Sequence, residues 1–194
     1  MAGLTTKIIS GVVTTGALGG GAYGIYVYNN TTDTLGNYLT NKKFTLTKRE
    51  TTGDWDKVAK TYKLQVTEEL KINSKTEATA NDIKVWCNEN LTKNINSIED
   101  PLFKKASKWC VKYTTISEKL GSKTVKEANA LNSEHNNFPQ GVKDSIAKIK
   151  LPGETQTHTN GAKTVEWCNQ NLNRSYSADD EFFFKNTKQY CFTT

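Results

Sequence analysis

The residues of this chain whose types and spacing could carry chemistry are four cysteines. Cys87 and Cys110 lie 23 positions apart, as do Cys168 and Cys191, and the second pair follows the first at an offset of 81. Thiols placed this way could hold a metal, act as nucleophiles or close disulfides. A metal site needs clustered ligands, but there is no C-x-x-C, and His135 and His158 are the only histidines, both in polar, loop-like sequence. No metal and no cofactor is therefore expected. A catalytic thiol needs a positioned histidine, whereas each cysteine here has a matched partner in its own segment. The expectation is disulfides at Cys87, Cys110, Cys168 and Cys191. Three pairings are open to four cysteines.

The other reactive side chains read as structural. Glu99 with Asp100, and the run Asp179, Asp180 and Glu181, could serve as acid and base. They stand at expected helix starts, where carboxylates cap exposed N–H groups and meet the positive end of the helix dipole. No catalytic residue is singled out, and the chain is not read as an enzyme. Its 26 basic and 20 acidic residues give a net charge of +6, with the lysines dispersed among acids. A solvated surface is expected from that pattern and nucleic-acid binding is not.

The cysteines belong to a longer repeat. Residues 83–110 align without a gap on 164–191, with eight identities that include Trp86/Trp167, Asn88/Asn169, Asn90/Asn171, Leu91/Leu172 and Phe103/Phe184. Ile83, Trp86, Cys87, Asn90 and Leu91 follow the spacing of one helical face, with Asp82 as N-cap. Val165, Cys168 and Leu172 repeat it, with Thr164 as a possible cap. Asp100 and Pro101 open a second helix whose face carries Phe103, Ala106 and Cys110; Phe184, Thr187 and Cys191 match them. Two antiparallel helices would bring the start of the first beside the end of the second, so a bond within each unit is expected. The aromatic residues are assigned to the core, and Asn88, Asn90, Asn169 and Asn171 to polar or loop-facing positions.

Upstream, Trp55, Val58, Ala59 and Tyr62 form a stripe behind Asp54, and Val142, Ile146 and Ile149 form another. VAKTYKL at 58–64 pairs with IAKIKL at 146–151, and TLG at 34–36 with KLG at 119–121, which suggests units of about 80 residues. Loops are expected at Thr51–Gly53, Asn73–Ala80, Asn132–Gln140 and Pro152–Gly161, with a linker near Tyr113–Ser122.

Residues 8–28 carry no charge across 21 positions, enough at 1.5 Å per residue to cross about 30 Å of hydrocarbon. Tyr23, Tyr26 and Tyr28 stand where an interfacial aromatic belt belongs. With Lys7 before the span, the expected organisation is a cytoplasmic N-terminus at 1–7 and a transmembrane anchor in the lipid bilayer at 8–28. A first unit at 31–116 and a second at 117–194 then lie outside the cell. A cleaved signal peptide or a buried soluble helix are the alternatives. Gly16, Gly20 and Gly24 give G-x-x-x-G spacings through which two spans could form a homodimer. All four cysteines fall on the outer side, where disulfides persist. Sequons for N-glycosylation occur at Asn29, Asn30, Asn90 and Asn173.

The Gly-rich span, YLTNKKFTL at 38–46, DWDKVAKTY at 54–62, IKVWCNENL at 83–91 and FKKASKWC at 103–110 together resemble the large paralogous families of haemotropic mycoplasma surface proteins. The resemblance implies a wall-less bacterium, a single-pass surface protein and a role in antigenic diversity at the host interface. It brings no catalytic residue, and it implies that the sequons are silent.

The fold class expected is mainly α: a single transmembrane helix, then two tandem helical repeats, each with a disulfide-stapled helical hairpin. The function expected is a displayed surface antigen or host-interaction protein with a host-surface or immune partner. A small anchored or secreted hydrolase-like enzyme and a passive envelope protein are the alternatives.

Overall fold

Among the described residues, side-chain caps open six of the nine α-helices. The computed structural model describes residues 33–121, 123–151 and 159–193. The expected span at 8–28, its glycines Gly16, Gly20 and Gly24, and His158 lie outside them. Among the described residues the fold is mainly α, with nine helices, and no helix is long and apolar enough to cross a membrane. In the first unit a two-residue strand β1 (Asp33–Thr34) leads into α1 (Leu35–Asn41), α2 (Thr52–Gln65) and α3 (Ala80–Asn90). Strand β2 (Asn94–Ile95) and α4 (Pro101–Trp109) follow. The second unit holds α5 (Ile116–Leu120), α6 (Ala128–Glu134), α7 (Gln140–Ala147), α8 (Asn160–Leu172) and α9 (Phe182–Tyr190).

The offset of 81 holds at the front of each unit. Thr34 caps α1 and Thr115 caps α5 through their hydroxyls. Leu35 N donates to Lys93 O at 2.8 Å, and Ile116 N to Arg174 O at 2.9 Å. The antiparallel pair Thr34 with Asn94 recurs as a bridge between Thr115 and Ser175. At the next shared contact, Thr47 N to Cys110 O and Lys126 N to Cys191 O, the offset is 79. It returns to 81 at the cysteines. The second unit is thus shorter by two residues just after α5, which has five residues where α1 has seven.

Several expectations are corrected. Residues 113–122 are not a linker, because Thr115 and Glu118 form a capping box that opens α5;. Thr115 and Ile116 make with Arg174 and Ser175 the contacts that Thr34 and Leu35 make with Lys93 and Asn94. TLG at 34–36 answers to Thr115, Ile116 and Ser117, not to KLG: Gly36 sits in the first turn of α1, while Gly121 ends α5 at φ +73°. α3 packs on α2, whereas α8 packs on both α6 and α7, so the contacts do not single out IAKIKL, which runs from the end of α7 to Leu151, as the partner of VAKTYKL on α2. Thr52 and Gly53, read as loop, form the first turn of α2.

Two apolar cores result. One gathers Leu35, Val58, Tyr62, Ile83 and Trp109, the other Leu131, Val142, Ile146 and Trp167. Burial of these side chains is the main stabilising term, about 1.5–3 kcal/mol for each large apolar one. Three buried indoles also find acceptors: Trp55 Nε1 donates to Lys48 O at 3.0 Å, Trp109 Nε1 to Leu70 O at 2.9 Å and Trp167 Nε1 to Ser145 Oγ at 2.8 Å. Such partners remove the cost of hiding an N–H.

Candidate functional site

The cysteines join consecutive helices within each unit. Cys87 bonds to Cys110 and Cys168 to Cys191, with Cα atoms 5.6 and 5.8 Å apart. All four are fully buried, and there is no free cysteine. Their place on the helices differs from expectation. Thr79, not Asp82, caps α3, with Asp82 completing a capping box at the third position. Thr159, not Thr164, caps α8, and Thr164 is a buried mid-helix residue whose hydroxyl donates to Asn160 O. Each helix therefore starts earlier, and its cysteine falls toward the C-terminal end. The bond runs from there to the C-cap of α4 or α9, so each staple joins two helices near their C-terminal ends. The end-to-start antiparallel hairpin is not the geometry formed.

The site that spacing alone missed is a repeated pair of asparagine and cation. Asn90 and Asn171, expected at polar-face or loop-contacting positions, are buried at 5% and 1% exposure and bond to residues just beyond their helices. Asn90 Oδ1 accepts from Lys93 Nζ at 2.9 Å, and Asn171 Oδ1 accepts from Arg174 Nε at 2.9 Å. Asn90 Nδ2 also donates to Trp86 O at 2.7 Å. The signal in the sequence was the shared i, i+3 spacing of Asn and a base. Burial makes Asn90 a poor glycosylation acceptor; Asn88 and Asn169 are more open.

The second of these pairs lies in the seam between units. Arg174 NH1 donates to Leu64 O on α2 at 3.1 Å, and the guanidinium stacks 3.8 Å from the centre of the Phe183 ring. Thr61 Oγ1, fully buried on α2, donates to Asn173 O at 2.7 Å. Ser175 Oγ bridges Lys108 Nζ at 2.9 Å and Gln65 Oε1 at 2.8 Å. Lys57 reaches Tyr113 O at 3.1 Å and the Glu118 carboxylate at 3.2 Å. Burial lowers the pKa of Lys108, with Arg174 adding to the effect and Glu181 opposing it. Burial likewise lowers that of Arg174 and raises that of Tyr113. The seam is a network of charge-assisted hydrogen bonds that fixes one unit on the other.

Elsewhere three of the candidate acids are occupied. Asp100 caps α4, Glu181 caps α9, and Asp179 accepts from Tyr176 Oη at 2.7 Å. Glu181, expected at a helix start where carboxylates cap, is the N-cap of α9 and accepts from Phe184 N. His135 stacks edge-on against Phe138, its pKa lowered by burial and by Lys143. An open groove of about 680 Å³ runs between Lys123–Ala128 and the α8 face of Ala162, Val165, Glu166 and Asn169. Its Lys126 is paired with Glu134 at 2.8 Å, Lys123 lies over the Phe192 ring, and Glu166 accepts from Gln170. Among the described residues, no three His, Cys, Asp or Glu side chains come together as a metal site. No family model, curated protein or solved structure matches this chain.

Proposed function

We propose that this chain is a membrane-anchored protein that displays its disulfide-stapled helical units outside the cell, as a surface antigen or for contact with a host surface. The observation that carries the reading is the use of two buried disulfides, one in each unit, beside a stretch of 21 uncharged residues at 8–28. Disulfides persist in oxidising surroundings, and a span of that length holds the units at a membrane. The topology is a cytoplasmic N-terminus at 1–7 with residues 31–194 outside, and Gly16, Gly20 and Gly24 offer a face on which two spans pair. The role is one of display and contact, with no catalytic step assigned.

The test is protease shaving of intact cells that express the full chain, read by mass spectrometry. Peptides from residues 33–193 are expected to disappear while the chain resists extraction from membranes with alkaline carbonate. Units that survive protease on intact cells and become sensitive after lysis would overturn the display.

A further inference from the structure

The duplication shows which edge of the first unit is left bare. In the second unit the edge Asn173–Ser175 lies half-buried under α2, held by Thr61 and Gln65. Its counterpart in the first unit, Thr92–Asn94, is exposed. This bare edge pairs directly with β1, the point at which the chain arrives from the uncharged stretch. From Tyr28 to Asp33 there are five Cα steps, which can reach at most about 18 Å. One further strand spacing of about 5 Å leads to Asn94.

We infer that the edge of β1 and Thr92–Asn94 rests on the headgroups of the membrane that holds residues 8–28, an inference that depends on the anchored reading above. The charges around the chain's entry suit an anionic lipid surface. Lys43 is exposed, Lys93 is exposed while its Nζ also donates to Asn90 Oδ1, and Lys42 is half-buried with its Nζ over the Tyr38 ring. Asp33, the acid at the chain's entry, has its carboxylate taken up by the amides of Asn37 at 3.0 Å and Asn41 at 3.2 Å. Basic residues close to a membrane are drawn to anionic lipid within a Debye length. The edge that α2 covers in the second unit is thus covered by lipid in the first.

The test is amine acetylation of the full chain in nanodiscs, quantified lysine by lysine. Phosphatidylglycerol discs are compared with phosphatidylcholine discs, and the exposed Lys148 and Lys150 of the second unit serve as internal references. Lys42, Lys43 and Lys93 are expected to label about fivefold more slowly in the anionic discs, with the difference shrinking as salt is raised. Equal slowing at all five lysines, or none at any, with the chain still in the discs, overturns the docking and leaves the anchor standing. A chain that does not enter either disc overturns both.

Discussion

Gly161→Ala sets a packing argument against helix propensity, and the two disagree in sign. Gly161 is the second residue of α8, where alanine would by propensity stabilise the helix by up to about 1 kcal/mol;. A Cβ built there would stand 2.0 Å from Ala128 O, 2.9 Å from Ala128 C and 2.9 Å from Asn132 Cβ. The carbonyl is backbone and cannot rotate aside, so α6 and α8 would have to part by about 1 Å or more, in line with overpacking costs of about 1–3 kcal/mol. Separation also stretches the bond from Gly161 N to Asn132 Oδ1, now 3.2 Å, worth about 1 kcal/mol;. After the propensity gain is subtracted, a net loss of about 1–3 kcal/mol remains. Urea unfolding followed by tryptophan fluorescence reads it, because Trp167 lies in the same core. The first unit carries Ala80 at the equivalent position, so Ala80→Gly is the control and should cost no more than about 1 kcal/mol. A Gly161→Ala protein as stable as the parent, or more so, would refute the close approach of α6 and α8.

Three further outcomes follow from the same geometry. Replacing either cysteine pair by alanine should cost about 3 kcal/mol, equally in the two units, because both bonds close 24-residue loops;. Chemical denaturation of the two double variants measures this, and a large inequality would mean that local strain or packing, not loop closure, sets the value. Arg174→Lys should lose the bond to Leu64 O and the stacking on Phe183, about 1–2 kcal/mol by thermal unfolding. The reciprocal Lys93→Arg should change stability by less than about 0.5 kcal/mol. Asp82 is held at about 2 by Lys75 and by the N–H and hydroxyl of Thr79. Its folded pKa lies below the unfolded value of about 3.9, so its contribution is present above pH 4 and is lost as pH falls toward 2. NMR titration of the Asp82 carboxyl should show the low midpoint, and Asp82→Asn should flatten the acid limb of the stability curve.

The sequence was legible where a periodic pattern and a cap agreed. Asp100 followed by Pro101 opens α4 as read. The stripe of Trp55, Val58 and Tyr62 is buried on α2, but Asp54, read as its cap, lies inside the first turn of a helix that begins at Thr52 behind Thr51. The errors came from choosing among competing caps. In the first unit Thr79 and Asp82 act as one reciprocal box, and taking Asp82 alone shifted the start of α3 by three residues. That shift turned a staple near two C-terminal ends into an expected antiparallel hairpin. Residues 113–122 read as a linker because α5 is short and only Ile116 is buried on it. Its capping box, Thr115 with Glu118, was present as T-x-x-E. The seam was not legible, since a contact such as Thr61 with Asn173 spans 112 residues and follows no local period.

Comparing the two copies shows how one of them became a joint. Position 93 carries lysine and its partner position 174 carries arginine. Both keep the bond to the buried asparagine three residues before. A lysine head meets this need as a single point charge, while a planar guanidinium has donors to spare for a second acceptor and a face that stacks on a ring. In the second unit the second acceptor is Leu64 O of the neighbouring unit and the ring is Phe183, which stands where the first unit has Leu102. The two changes belong together: arginine at 174 without an aromatic at 183 would leave part of a half-buried guanidinium without its stacking partner. The inner cation–asparagine bond serves each unit's own helix end. The second copy thus carries a bond across the seam as well as the one inside it, where the first carries only the inner bond among the described residues.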